Sequence, residues 1–311
     1  MDQTMKIFDA HCDVLYKMWM NPDIEFFFDH RLQTNYTYLS QAGKGNIQCF
    51  AVFVPQDLPE EIRFRTALEM IEIFYEKVLA HPNVKLILQK EDALQLRDDE
   101  VGAILTLEGC DPIGCDLTKL KTLYRLGIRS VGLTWNYGNA VADGVLEPRG
   151  AGLTSFGKQV VQFNNEKKLW TDVSHLSEQG FWDVLELAEH PIASHSNAKA
   201  LAPHVRNLTD EQILALIQKN GMIGITFVPE FLENYPDASV TDVLRHVEHI
   251  CSLGGENNIG FGSDFDGIEE APENLWNYSY YYILINELLK RFPEKIVKRF
   301  LFENFFEKIS F

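Results

Sequence analysis

A chain of 311 residues that is 46% hydrophobic and 23% charged is a soluble globular protein with a sizeable core. Its net charge of -17 opposes a phosphate backbone or an anionic membrane surface, so neither nucleic acid nor membrane is an expected partner. Five cysteines, an odd number at low density, do not make a disulfide framework, and no secretory signal or transmembrane span is visible, so cytoplasmic location is the expectation.

Short apolar runs alternate with amphipathic segments along the chain. The first run, 6–13, contains Ile7-Phe8-Asp9-Ala10-His11-Cys12-Asp13. Alternation along a strand predicts Asp9, His11 and Asp13 on one face, with Cys12 turned away. Residues 17–45 have no clean period and read as an insertion or short helices. A second run, 47–54, is closed by Pro55, and 60–80 has helical spacing with Ile62, Leu68, Ile71 and Val78 on one broad face.

The third run, 101–107, ends in Glu108-Gly109; a helix over 117–126 follows, ended by Gly127. A fourth run, 128–133, leads into a Gly-rich polar loop over 135–154. Residues 155–168 read as helix, and 169–173 is the fifth run, ending in Ser174-His175. Ser177 caps a helix to 189, and the sixth run, 191–194, ends in His195. Thr209 and Gln212 form a capping-box pattern for a helix to 219. The seventh run, 222–228, is ended by Pro229, a helix covers 239–253, and the eighth run, 259–262, ends in Ser263-Asp264. The remainder, 273–311, is helical in two or three segments.

Eight strands alternating with helices, with no linker or composition shift, predict an α/β fold: one (β/α)8 TIM barrel over 1–311 with C-terminal helices. An open doubly wound sheet would need a glycine-rich phosphate turn, and G-x-G-x-x-G does not occur.

Active sites of such barrels lie at the carboxyl ends of the strands. Standing there are His11 and Asp13, Glu108, His175, His195 and Asp264. Each alone has an ordinary explanation, such as a helix cap or a satisfied buried histidine. Together, three imidazoles and three carboxylates on one rim suit two divalent metals about 3.5–4 Å apart, which hold a hydroxide and polarise a carbonyl. The set therefore predicts a metal-dependent hydrolase of amides or esters with no protein nucleophile. G-x-S-x-G, H-E-x-x-H and Walker A motifs are absent.

The motifs FDAHCD at 8–13, LEG at 107–109, DVSHLS at 172–177, SHSNA at 194–198 and GFGSDFDG at 260–267 occur in one order and cover nearly the whole chain. In this the chain resembles the membrane (renal) dipeptidase family, the M19 metallopeptidases, and more closely its bacterial members. The resemblance implies a zinc-dependent dipeptidase with two Zn2+ ions. It implies that His11 and Asp13 hold one zinc, that His175 and His195 hold the other, and that Glu108 bridges them. Arg206 matches the arginine that binds the substrate carboxylate. Asp264 matches the acidic residue near the scissile bond, which either shuttles a proton or orients the substrate amine; Asp266 reads as turn support. Tolerance of a C-terminal D-residue and a homodimer are also implied.

One position departs from the family pattern. Leu133-Thr134-Trp135 stands where relatives of the renal type have L-T-H, so Trp135 replaces a histidine that contacts substrate. An indole N–H donates a hydrogen bond but carries no transferable proton. Trp135, Asn136 and Tyr137 are accordingly the expected substrate contacts on this loop, Asn136 or Tyr137 substituting for the histidine. The alternative is another amidohydrolase activity on the same two-metal site, acting on an N-acyl amino acid, a lactone or a phosphoester.

Overall fold

The structure is a computed structural model that describes residues 5–311; of the polar opening 1–6, residues 1–4 lie outside the described residues. Nine strands occur among the described residues: β1 (Phe8–Asp9), β2 (Ile47–Phe53), β3 (Val84–Leu86), β4 (Val101–Glu108), β5 (Ile128–Gly132), β6 (Trp170–Asp172), β7 (Pro191–Ala193), β8 (Met222–Ile225) and β9 (Ile259–Phe261). Every pairing between them is parallel. The ladder runs β1-β2-β4-β5-β6-β7-β8-β9 and returns to β1, which closes an eight-stranded barrel.

The ninth strand is β3, absent from the sequence reading. It pairs with the first half of β4, from Val84 opposite Val101 to Leu86 opposite Ala103. From Leu105 onward that edge of β4 passes to β5, with a register shift between Leu105 and Thr106. Three residues with an exposed lysine in the middle give no apolar run to detect. By contrast, β2 and β4 are buried on both faces and predominantly apolar, as parallel strands under helices tend to be.

The helices follow the capping chemistry of the sequence. Ser177 accepts a hydrogen bond from Gly180 N, and Thr209 and Gln212 form the reciprocal box at the start of Asp210–Gln218. The helix Glu60–Ile73 continues as a π-helical turn over Phe74–Val78, close to the predicted 60–80.

Two apolar layers fill the molecule. One lies between strands and helices; the other fills the amino-terminal end of the barrel with Phe8, Ile47, Ile104, Ile192 and Met222. The C-terminal segment closes that end. Phe305 stacks on Phe8 at 5.3 Å, and Trp170 Nε1 donates to Lys308 O at 2.9 Å. The carboxyl end is left as the open mouth.

β1 differs from the expectation. Phe8 and Ala10 belong to the inner layer, Ile7 and Cys12 to the outer one, so the alternation slips at His11. Asp9 therefore does not share a face with His11 and Asp13. Its carboxylate lies on the helix side, accepting from Tyr281 Oη (2.8 Å), Ser263 N (2.9 Å) and His11 N (3.2 Å). This buried carboxylate ties the end of β1 to the end of β9, and burial raises its pKa.

Replacing Phe305 by Ala removes the ring that seals the barrel floor. A loss of about 3–5 kcal/mol is expected, read as a lower urea midpoint at unchanged slope.

Candidate metal centre

Six predicted side chains converge at the mouth from five strand ends. His11 Nε2 lies 3.4 Å from Asp13 Oδ2, 3.4 Å from Glu108 Oε2 and 3.6 Å from Asp264 Oδ1. The other oxygen of Glu108, Oε1, lies 3.0 Å from His175 Nε2 and 3.8 Å from His195 Nε2. Glu108 thus faces two sets of donors, one with each oxygen. His175 and Asp264 hold left-handed backbone (φ 68° and 65°), a costly conformation for residues with side chains. For Asp264 the amide of that turn donates to His11 O at 3.2 Å, which fixes β9's end against β1's.

The electrostatics follow from this crowding. Burial penalises charge on every member. It raises Asp264, and burial with Glu108 drives Asp13 well above the usual carboxylate range. Glu108 is desolvated too, but His11 and His175 hold it well below that range. His11 is raised despite its burial, because Glu108 and Asp13 face it; His175 falls to about 3 and His195 falls well below its ordinary value, both chiefly through burial.

A metal fits these residues. His11 Nε2 and Asp13 Oδ1 are buried without hydrogen-bond partners. His175 Nε2 and His195 Nε2 approach to 2.9 Å while the Nδ1 atoms are engaged by Asn136 Oδ1 (2.8 Å) and Ser194 Oγ (2.7 Å). With both Nδ1 atoms carrying the ring protons, two Nε2 lone pairs face each other at that distance, an arrangement that a cation between them relieves. Donor atoms of His11, Glu108 and His195 lie within 4.8 Å of one another, as do those of His11, Asp13 and Asp264. Imidazole with carboxylate suits zinc, manganese or cobalt.

The mouth opens into a cavity of about 1320 Å3 lined by Glu108, His175, Asp264, Arg206 and Trp135 among others. Arg206 is buried, donates from Nη2 to His195 O (3.2 Å) and lies over the Phe231 ring, while its Nε has no partner. Burial lowers its pKa to about 10, against the pull of Asp264 and Glu108. Trp135 packs on Phe53 at 5.2 Å, and Phe53 on Tyr16 at 5.2 Å, giving one aromatic wall. Asn136 faces His175 with its side-chain oxygen, and Tyr137 stands half exposed at the rim. Asp266 does not support its own turn as expected: its carboxylate accepts from Gln33 N, Thr34 N and Lys17 Nζ, which ties the end of the last strand to the segment after the first.

Two residues behind the donors escaped the sequence reading: Ser194, which bonds His195, and Asp172, which bonds Ser194. Both lie inside the quoted motifs, Asp172 three residues before His175 and Ser194 directly before His195; that position was the available signal.

A closed parallel barrel with a mixed imidazole–carboxylate cluster at its mouth defines a TIM-barrel metal-dependent hydrolase. The family model for membrane dipeptidase, peptidase family M19, matches residues 1–309, and the chain belongs to this family of peptide-bond hydrolases. It is 33% identical over 244 residues to an uncharacterised protein in the pqqA 5′ region of Klebsiella pneumoniae, covering 74% of this chain and 90% of that protein. It superposes with a TM-score of 0.90 and 26% identity on a metallopeptidase from Rhodobacter sphaeroides, crystallised with a phosphinate mimic of the dipeptide L-Ala-D-Ala (99% and 100% coverage). The crystal structure of dipeptidase AC, an M19 metallopeptidase, gives 0.90 at 29% identity and 98% coverage of both chains. No described helix is long and apolar enough to cross a membrane.

Behind the site, buried His246 accepts from Ala198 N at Nδ1 (3.1 Å), and its Nε2 has no partner. Burial, with His249 nearby, lowers its pKa from 6.5 to about 4, against Asp242. Above pH 6.5 neither folded nor unfolded chain protonates this ring; below it the unfolded chain takes up a proton that the native state refuses. Stability contributed by His246 is therefore full above pH 6.5 and lost as pH falls toward 4. His246→Asn is expected to flatten that part of the stability–pH curve, measured by urea unfolding at pH 4.5 and 7.

Proposed function

We propose that residues 1–311 form one catalytic domain that hydrolyses the peptide bond of dipeptides at a centre of two zinc ions, including dipeptides with a C-terminal D-residue. The observation that carries this reading is the split of Glu108, with one oxygen toward His11 and the other toward His175 and His195. The phosphinate dipeptide mimic held by the Rhodobacter sphaeroides metallopeptidase supports the substrate class.

In this reading His11 and Asp13 would hold one zinc and His175 and His195 the other, with Glu108 available to both. Zinc bound there would supply carbonyl polarisation and bring water within reach of deprotonation near neutral pH. Asp264, its carboxyl raised by burial, takes the proton of the attacking water at a carboxylate oxygen and returns it to the leaving amine. Arg206 clamps the C-terminal carboxylate; a buried guanidinium with a free N–H gains most from a charged acceptor. Trp135, with Phe53 and Tyr16, forms an apolar wall for a substrate side chain and shields the reacting bond from water, but moves no proton. Asn136 steadies His175, and Tyr137 contacts substrate at the rim.

Trp135 in place of a histidine favours one second reading, a shift to N-acyl amino acids, lactones or phosphoesters on the same centre. A screen of zinc-reconstituted protein on L,L- and L,D-dipeptides beside those compounds separates the two. Turnover of the dipeptides is expected; turnover of the others alone would overturn the first reading.

His195→Ala is expected to cost one metal per chain by elemental analysis and orders of magnitude in turnover. Arg206→Ala should raise KM for free-carboxylate dipeptides by about 10–100-fold, the worth of a hydrogen bond to a charged group. C-terminally amidated dipeptides should be unaffected, which a parallel assay checks.

A further inference from the structure

The neutral ring of His195 has one proton to place, and its two nitrogens face different company. Nε2 points into the donor cluster, 2.9 Å from His175 Nε2. Nδ1 points away from it, 2.7 Å from Ser194 Oγ. Ser194 Oγ is bonded onward to Asp172 Oδ2, while Asp172 Oδ1 accepts the backbone N–H groups of Ser174 and Ser194, each at 3.0 Å. All of these residues are buried.

Counting protons leaves one arrangement. As a carboxylate, Asp172 only accepts, so the Ser194 hydroxyl donates to it. Ser194 Oγ then offers only lone pairs to His195, so Nδ1 carries the ring proton and Nε2 keeps its lone pair toward the cluster. We propose that Asp172 and Ser194 are positioning residues, a carboxylate–hydroxyl–imidazole chain that locks His195 in the Nδ1–H tautomer and strengthens Nε2 as a metal donor. This rests on the metal-centre reading given above. Carboxylates commonly back metal-bound histidines directly; here a serine hydroxyl is interposed.

The chain is built rather than incidental. The Ser174 hydroxyl accepts from His195 N (3.2 Å) and lies 3.4 Å from Ser194 Oγ, so backbone and side chain are held together. The carbonyl of Ser194 is pressed by Gly224 and Gly262, where any side chain would collide with it. His175, which shares Glu108 Oε1 with His195, is backed instead by the neutral amide of Asn136. The two imidazoles are therefore unequal, and His195 is the stronger donor.

Asp172→Asn makes a sharp test because it keeps the backbone ties. The asparagine oxygen takes the place of Oδ1 on the two N–H groups, which leaves its NH2 facing Ser194 Oγ. The serine hydroxyl is then free to donate to His195 Nδ1, and the ring proton moves to Nε2, where a metal must displace it. The tautomer is read by long-range 1H–15N correlation on 15N-histidine-labelled, chelator-stripped full-length protein, with His195 assigned from a His195→Gln spectrum. Zinc affinity is read separately by competition with a chromophoric chelator.

Expected are Nδ1–H in wild type and in Ser194→Thr, Nε2–H in Asp172→Asn, and a mixture in Ser194→Ala. Zinc affinity should fall about 10–100-fold in Asp172→Asn and Ser194→Ala. If both variants keep the Nδ1–H tautomer and wild-type zinc affinity, the proposal is overturned, and Asp172 merely ties β6 to β7. A wild type that shows the Nδ1–H lock but binds no zinc would support the proton chain and remove the metal-centre reading beneath it.

Discussion

Everything at the barrel mouth depends on an excess of electron pairs on side chains that are largely withdrawn from water. Asp13, Glu108 and Asp264 are packed around His11, and the Nε2 atoms of His175 and His195 converge at contact distance. Burying such groups without a counter-charge costs several kcal/mol each. Glu108 and Asp13 together raise the pKa of His11 despite its burial, and bound metal cations are the counter-charge that this crowding calls for. Arg206 supplies a single positive charge beside the cluster, too far committed to His195 O to neutralise it and well placed to meet an anion entering the cavity.

The rest of the molecule keeps those groups from moving apart. The aromatic floor of Phe8, Trp170 and Phe305 fills one end of the barrel, so the large cavity opens at the other. Around the donors runs a second set of bonds: Asp9 to the ends of β1 and β9, Asp172 to the ends of β6 and β7, Asn136 to His175. Each joins neighbouring strand ends or fixes a ring, so a donor cannot relax without disturbing the ladder that carries it. The strained backbone at His175 and Asp264 persists because of these ties.

How much of this was legible depended on whether the signal was local. Doubly covered strands such as β2 and β4 announce themselves as mostly apolar runs, and Glu108 stands out by ending one of them. The capping pairs at Ser177 and Thr209–Gln212 are local chemistry and were readable. β3 was not, since three residues flanking a longer strand leave no period. Nor was the slip at His11: alternation predicts that Asp9 faces the same way, and only the bond from His11 N back to the Asp9 carboxylate shows where the strand gives up its regular pleat. Asp172 and Ser194 were visible as motif letters but not as a proton chain, because their partnership crosses from one strand end to the next. Roles that depend on contacts between strands have no signature within either strand.

The closure between β1 and β9 also has a temporal meaning. Asp264 N reaches His11 O and Asp13 N reaches Phe265 O, so two donors from the beginning of the chain are held by a turn close to its end. During synthesis His11 and Asp13 wait, unpartnered, until nearly all of the barrel has followed them. Non-local parallel pairing of this kind is the slow part of folding. The share of the centre built on His11 and Asp13 is therefore completed last, when the ring of strands closes.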